Sequence, residues 1–276
     1  MLFCPIASGS SGNCTYIATK ETHILIDAGV SGKRINAALS GFAVPKLSAI
    51  FVTHEHTDHI TGVGVMARRY NVPVYATPKT WQYMLNNGSV GDIPQHLQHT
   101  ITPDQPIIIT DMTVTAFNIP HDAVQPVGYF VTENFPESPE SPKNPENSQK
   151  QPKTAAVATD IGYITDTIRH ILRKAEILLI ESNHDVEMLK NGNYPPHLKK
   201  RILGTNGHLS NVAAGVLLVE IASPHLRHVY LGHLSSENNR PYIALNTIEN
   251  ILAVNNIKIN GLTIANRNEK SPAIEW

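Results

Sequence analysis

The sequence predicts an α/β fold with a strand-rich start. Three observations support this. Short β-branched, alternating runs joined by tight turns occupy the first 27 residues, and strand-like and helix-like patterns then alternate through both halves of the chain. Acidic and imidazole side chains also stand directly after several apolar runs, which is where open α/β sheets carry their chemistry. At 276 residues, 41% hydrophobic and 16% charged, the chain suits a globular enzyme, and we read it as one domain over 1–276.

In chain order, Leu2 to Ala7, Cys14 to Thr19 and His23 to Asp27 read as strands. The turn Ser8-Gly9-Ser10-Ser11-Gly12-Asn13 is rich in small residues, so it either presents N–H groups to an anion or simply closes a hairpin. Helical patterns follow at 31–40, 61–70 and 77–86, separated by strands near 48–52 and 72–76. Later strands are expected at 106–118, 126–132, 154–159, 176–180 and 227–232, with helices near 164–174, 208–222 and 241–254. Between the strands at 126–132 and 154–159, residues 133–153 carry five prolines and almost no apolar side chains. Such a segment buries too little surface to order itself, so it is read as a disordered Pro-rich insertion at a hairpin tip.

Composition excludes several classes. No run approaches the roughly 18 apolar residues of a membrane span. The N-terminus Met1-Leu2-Phe3-Cys4-Pro5-Ile6-Ala7-Ser8 lacks a basic leader and a long apolar core, so a cytoplasmic location is expected. Cys4 and Cys14 are the only cysteines and are read as reduced and structural. A net charge of −1 gives no global pull toward polyanions. Lys199-Lys200-Arg201, Arg68-Arg69 and Lys33-Arg34 are read as solvated helix faces.

The densest chemical signal is Thr53-His54-Glu55-His56-Thr57-Asp58-His59, which follows the apolar run Ser48 to Val52. Three imidazoles and neighbouring carboxylates in one loop, with no cysteine nearby, suit an open catalytic site for zinc, manganese or iron rather than a closed structural zinc site. His121, Asp160 and His233 each follow a further apolar run.

In this order the residues resemble the ligand series of the metallo-β-lactamase superfamily, and Asp27 in Ile24-Leu25-Ile26-Asp27-Ala28-Gly29 matches its first motif, where a carboxylate supports the histidine loop. The resemblance covers nearly the whole chain. It implies a four-layer αββα sandwich and two divalent ions, zinc first among the candidates: His54, His56 and His121 on one, Asp58, His59 and His233 on the other, with Asp160 bridging. Two ions so placed share a hydroxide that serves as nucleophile. Ser8 to Cys14, Thr53 to Gly64 and Leu231 to Asn239 narrow the likeness to the YycJ/WalJ/VicX family of cytoplasmic bacterial metallo-hydrolases. That family is associated with 5′ to 3′ digestion of duplex DNA ends, which implies a phosphodiesterase with a nucleic-acid partner. The insertion at 133–153 is atypical for it.

Leu178 to Asp185 and Gly204 to Asn211 are similar in context to segments of the superfamily's tRNA-processing nucleases, where a Glu and a His support leaving-group protonation. By that likeness Glu181 orients His208, and Asp58, Glu181 and His208 complete the catalytic set. On the residues alone, Glu181 equally ends a buried strand and His208 equally starts a helix. His23, His96, His99, His170, His197, His225 and His228 lack motif context and are read as surface residues. The competing function is a hydrolase of the same fold acting on a thioester, lactone or lactam.

Overall fold

The computed structural model describes residues 1–42, 46–134 and 151–276. Its first half runs β1 (Leu2–Ala7), β2 (Cys14–Ala18), β3 (His23–Ile26), α1 (Gly32–Leu39), β4 (Ala49–Phe51), α2 (Thr57–Ile60), α3 (Val63–Tyr70), β5 (Val74–Ala76), α4 (Pro78–Asn86) and β6 (Gln98–Thr100). The chain continues through β7 (Pro106–Ile109), β8 (Met112–Asn118), β9 (Val127–Glu133), β10 (Thr154–Ala158), α5 (Asp166–Leu172), β11 (Ile177–Glu181), α6 (Val186–Asn191), α7 (Pro196–Ile202), α8 (Asn211–Ile221), β12 (His228–Gly232), α9 (Pro241–Val254), β13 (Gly261–Ile264) and β14 (Ile274–Glu275).

Among the described residues these strands form two sheets of seven, ordered β14-β1-β2-β3-β4-β5-β6 and β13-β12-β11-β10-β9-β8-β7. The alternation of each strand sorts its side chains between two cores. In β3, Ile24 and Ile26 point into the space between the sheets, where they meet Phe51, Tyr129, Val157 and Leu179. Leu25 points the other way, into a cluster with Ile35 of α1, Met66 of α3 and Trp81 of α4. On the far side, Leu178, Ile180 and Val229 pack beneath Ile168 of α5, Leu217 of α8 and Ile248 of α9. Helices, sheet, sheet and helices form the four layers of the αββα sandwich. Phe51 lies edge-on to Tyr129 at 5.4 Å between the sheets, and truncating such a ring to alanine costs about 3–5 kcal/mol.

β3, β4, β5 and β6 are mutually parallel, as are β10, β11, β12 and β13. β8 is antiparallel to β9 and β9 to β10, so β8 runs with β10. Consequently β3 and β4 of one sheet, and β8, β10, β11 and β12 of the other, each deliver the residues after their C-terminal ends to a common edge.

Several boundaries differ from the sequence expectation. The run 106–118 is a hairpin, not one strand: Thr110 takes a left-handed φ of 48°, and Asp111 accepts hydrogen bonds from Thr19 and Thr22 in the turn between β2 and β3. No Gly or Pro marks this turn, so the apolar pattern conceals it. The helix expected at 61–70 forms as α3 but starts only after Gly62, whose amide donates to the Ala28 carbonyl at 2.6 Å and where a Cβ would lie 2.3 Å from the Val30 carbonyl oxygen. α8 starts at Asn211 behind a Ser210 cap, leaving His208 in the preceding loop. β6, β13, β14, α6 and α7 are short and carry too little periodic pattern to predict. β9 and β10 pair antiparallel as expected, whereas the insertion between them lies outside the described residues over 135–150.

Candidate metal centre

β4 ends at Phe51, and the chain then turns through Thr53 to His59 under close backbone control. Asn13 N–H donates to the Asp58 carbonyl at 2.7 Å, Ala28 N–H to the His59 carbonyl at 3.0 Å, and Val127 N–H to the Thr53 carbonyl at 3.0 Å. Gly29 permits this fit, because a Cβ there would lie 1.6 Å from the Asp58 carbonyl oxygen. Asp27 holds the loop from beneath: its Oδ1 accepts from Thr53 N–H at 2.8 Å, and its Oδ2 accepts from Thr53 Oγ1 at 2.9 Å and His59 Nδ1 at 2.7 Å. Asp27, Asp160 and His233 all take left-handed φ values, of 60°, 61° and 52°, one or two residues beyond β3, β10 and β12. Such conformations are costly for non-glycine residues and concentrate at functional sites.

Four groups of potential ligand atoms converge among the described residues, each group within 4.8 Å: His54, His56 and His121; His54, His59 and Asp160; Asp58, His59 and His233; and Asp160, Glu181, His208 and His233. His56 Nδ1 lies 3.0 Å from His54 Nε2 and 3.3 Å from His121 Nε2. Asp160 lies between the groups, with Oδ2 at 3.2 Å from His59 Nε2 and Oδ1 at 3.4 Å from His233 Nε2 and 3.7 Å from His121 Nε2. All seven residues singled out as ligands therefore meet at one place, although they come from four separate parts of the chain. Glu181 and His208 join them. Glu181 Oε1 accepts from His208 Nδ1 and His233 Nδ1, each at 2.8 Å, while Oε2 accepts from Ile161 N–H at 2.9 Å and Leu209 N–H at 3.0 Å.

Burial and charge act in opposition here. Burial, then the neighbouring imidazoles, holds His54 well below its ordinary pKa. Burial also lowers His121. Burial alone would lower His59 and His233, but Asp27, Asp160 and Asp58 hold His59 well above its usual value, and Asp160, Asp58 and Glu181 carry His233 up to about 10. Burial would raise the two central carboxyls. His233 and His59 instead keep Asp160 well below the carboxylate range, and His208 and His233 bring Glu181 down to about 2. Asp58, Asp160 and Glu181 are thus held anionic and attract positive charge, whereas burial raises the pKa of Asp27 beneath them.

The residues present fit divalent metal. Among the described residues Asp160 Oδ2 is buried with no well-formed hydrogen bond, its nearest donor being His59 Nε2 at 3.2 Å, and a divalent cation would satisfy an anionic oxygen so placed. The donor set is nitrogen and oxygen with no thiolate, since Cys4 and Cys14 are buried elsewhere as free thiols.

Several residues within the quoted motifs serve this centre in ways the sequence left unassigned. Asn13 Nδ2 reaches Asp58 Oδ2 at 3.2 Å and His59 Nε2 at 3.1 Å, and Asn183 Nδ2 donates to the His233 carbonyl at 3.0 Å. Ser8 Oγ accepts from His233 N–H at 2.9 Å. Their signal, a small polar residue beside a strand end, is common everywhere in sequences. Arg201, expected on a solvated face, instead pairs with Asp122 beside His121 and lines the cleft. His23, expected at the surface, is buried and lies 2.5 Å from Tyr16 Oη; His228 is half-buried and lies 2.9 Å from Thr263 Oγ1. His96, His99, His170, His197 and His225 are exposed.

The family profile described as beta-lactamase superfamily domain matches residues 22–233. Exodeoxyribonuclease WalJ of Streptococcus pneumoniae is 39% identical over 250 residues, spanning 90% of this chain and 87% of that protein. The chain belongs to the WalJ/YycJ family of the metallo-β-lactamase superfamily. Exodeoxyribonuclease YycJ of Bacillus anthracis is 36% identical over 252 residues, covering 91% of this WalJ/YycJ-family chain and 88% of the relative. In fold, the chain matches the crystal structure of Zn(2+)-bound PqqB from Methylobacterium extorquens with a TM-score of 0.68, at 15% identity over 99% of this chain and 100% of that one.

With its converging His and Asp clusters, this WalJ/YycJ-family protein is a metal-dependent hydrolase. Its centre opens into a cleft of about 390 Å³, walled by Asp58, Asp160, His208 and His233 on one side and by Tyr194, Leu198 and Arg201 around α7. Among the described residues, no helix is long and apolar enough to cross a membrane.

Proposed function

We propose that this protein is a nuclease that hydrolyses phosphodiester bonds in DNA from a strand end, working in the cytoplasm with two divalent ions, zinc foremost. The observation that carries this reading is the pairing of His208 with Glu181 beside both ligand clusters, in a chain 39% identical to a protein named exodeoxyribonuclease. A leaving alkoxide needs a proton, and a histidine oriented by a carboxylate at the cleft wall is suited to provide one.

In this reading His54, His56 and His121 hold one ion and Asp58, His59 and His233 the other, with Asp160 reaching both. When bound, such a pair lowers the pKa of water toward neutrality and neutralises charge on phosphoryl oxygens. The remaining work falls to the chain's own groups. Asp27 fixes the His59 ring through Nδ1, so that Nε2 faces the centre. Glu181 does the same for His233 and for His208, leaving His208 Nε2 free to hold a proton toward the departing oxygen. Burial opposes that proton, but Glu181 and Asp160 outweigh it and raise the His208 pKa.

The test is turnover by metal-reconstituted protein on end-labelled duplex DNA, single-stranded DNA and RNA, beside nitrocefin and a thioester. Release of nucleotides from DNA is expected. Intact DNA alongside a cleaved thioester or lactam would replace this reading with that of another hydrolase on the same fold.

A further inference from the structure

Arg267 stands in the connection between β13 and β14, half-buried against the Ser8 to Asn13 turn. Its guanidinium donates to the Leu234 carbonyl, next to His233, and lies 3.4 Å from Ser10 Oγ on the wall of the metal cleft. Gly9 makes room for it, since a Cβ at that position would sit 3.0 Å from the guanidinium carbon. The same arginine lines a second cavity of about 320 Å³ with Arg240, Asn239 and Ser236, and this cavity shares Ser235 with the metal cleft.

The charge at this junction is unbalanced. Among the described residues, no carboxylate lies within ion-pair distance of Arg267, Arg34 or Arg240, and Arg34 donates to the Arg267 carbonyl. The Leu234 carbonyl and the Ser10 hydroxyl return part of the solvation that Arg267 loses, but no negative charge among the described residues balances it. Ser10 and Ser11 are exposed at the same turn, and their amides make no backbone hydrogen bond among the described residues. A fork-shaped cation, a hydroxyl and free amides beside a hydrolytic cleft are the donor set that recognises a phosphate.

Resting on the nuclease reading above, we propose that Arg267 and the Ser10 turn bind a backbone phosphate of the nucleic-acid strand flanking the scissile linkage, so that the strand runs from the metal cleft into the second cavity. Arg267 is then a positioning residue, acting on the strand and not on the reacting atoms.

The experiment compares wild type, Arg267→Ala and Arg267→Lys, all metal-loaded, on end-labelled DNA and on bis(p-nitrophenyl) phosphate, which has no flanking phosphate. Arg267→Ala should raise KM for DNA about tenfold with kcat nearly unchanged, and reduce the slope of log(kcat/KM) against log salt by about one. Hydrolysis of the small diester, which has no flanking phosphate, should fall much less than that of DNA. Lysine should recover only part of the loss, since it keeps the charge but not the fork. A single uncharged methylphosphonate moved stepwise along the strand should, at one position, impair wild type while leaving Arg267→Ala no worse. Equal losses on both substrates, unchanged DNA kinetics, or methylphosphonate effects that add to the mutation at every position would overturn the proposal while leaving the nuclease reading intact. Wild type that hydrolyses the small diester but no DNA would overturn both.

Discussion

His208 Nδ1 lies 2.8 Å from Glu181 Oε1, the same oxygen that accepts from His233 Nδ1. One fully buried carboxylate thereby orients a proposed metal ligand and a proposed proton donor, and its other oxygen pins the backbone at Ile161 and Leu209. We expect His208→Ala to lower kcat by about 10²–10³ while metal content stays at the wild-type level. Glu181→Gln should do more damage. An amide NH₂ placed at either position faces other donors and leaves a buried group unpaired, costing about 1–3 kcal/mol, so melting temperature should fall together with turnover. Steady-state kinetics paired with elemental analysis and calorimetry checks both. Loss of metal in His208→Ala would make His208 a ligand.

Asp160 faces His59, His121 and His233, and among the described residues one of its buried oxygens has no well-formed hydrogen bond. Two ions per chain are therefore expected, with Asp160→Asn weakening both and His59→Ala weakening one. Mass-spectrometric metal counting on protein dialysed from excess zinc or manganese reads this directly. Stripping the metal should lower the melting temperature, because an ion that binds only the folded chain stabilises it. A single occupied site that survives Asp160→Asn would refute the shared role.

Asp27 never reaches the cleft, yet it fixes the His59 ring through a 2.7 Å hydrogen bond. Asp27→Asn should lower affinity for the ion held by His59 by about 10–100-fold, the usual effect of losing such a supporting carboxylate. Competition against a chelator of known affinity measures it. Unchanged affinity would show that Thr53 and the backbone suffice.

His184 is buried, and among the described residues neither ring nitrogen has a hydrogen-bond partner. Burial takes its pKa down from 6.5 to about 4. Between these values the unfolded chain binds a proton that the folded chain refuses, so stability falls as pH drops through this window and the loss is complete below about 4. His184→Leu removes that titration. Its stability relative to wild type should therefore improve by up to a few kcal/mol from pH 7 to pH 4, read as urea midpoints at each pH. A difference that stays constant with pH would mean that the ring titrates normally in the fold.

Much of the centre was legible in the sequence because its chemistry is local. The run His54 to His59 places its imidazoles and carboxylates in one loop, and His121, Asp160 and His233 each follow an apolar strand, so a strand end facing a site is visible without coordinates. The strand and helix alternation similarly implied an α/β fold, since it is written in side-chain periodicity. The hairpin within 106–118 and the start of α3 only after Gly62 were not visible, because each depends on contacts with distant residues: Asp111 with Thr19 and Thr22, and Gly62 with Ala28 and Val30.

Only the tertiary structure decided what surrounds the ligands. Parallel strands in two sheets carry residues 27, 54–59, 121, 160, 181 and 233 to one edge, a convergence set by sheet order and invisible to local pattern. Arg201 and Arg267 could not be told from ordinary surface arginines by sequence, because a basic residue acquires meaning from the cavity it borders and the counter-charge it has or lacks. His184 and His23 were hidden for the same reason. Residue type and spacing declare which groups can bind a metal, whereas burial, pairing and electrostatics are sums over neighbours far apart in the chain, and those exist only once it has folded.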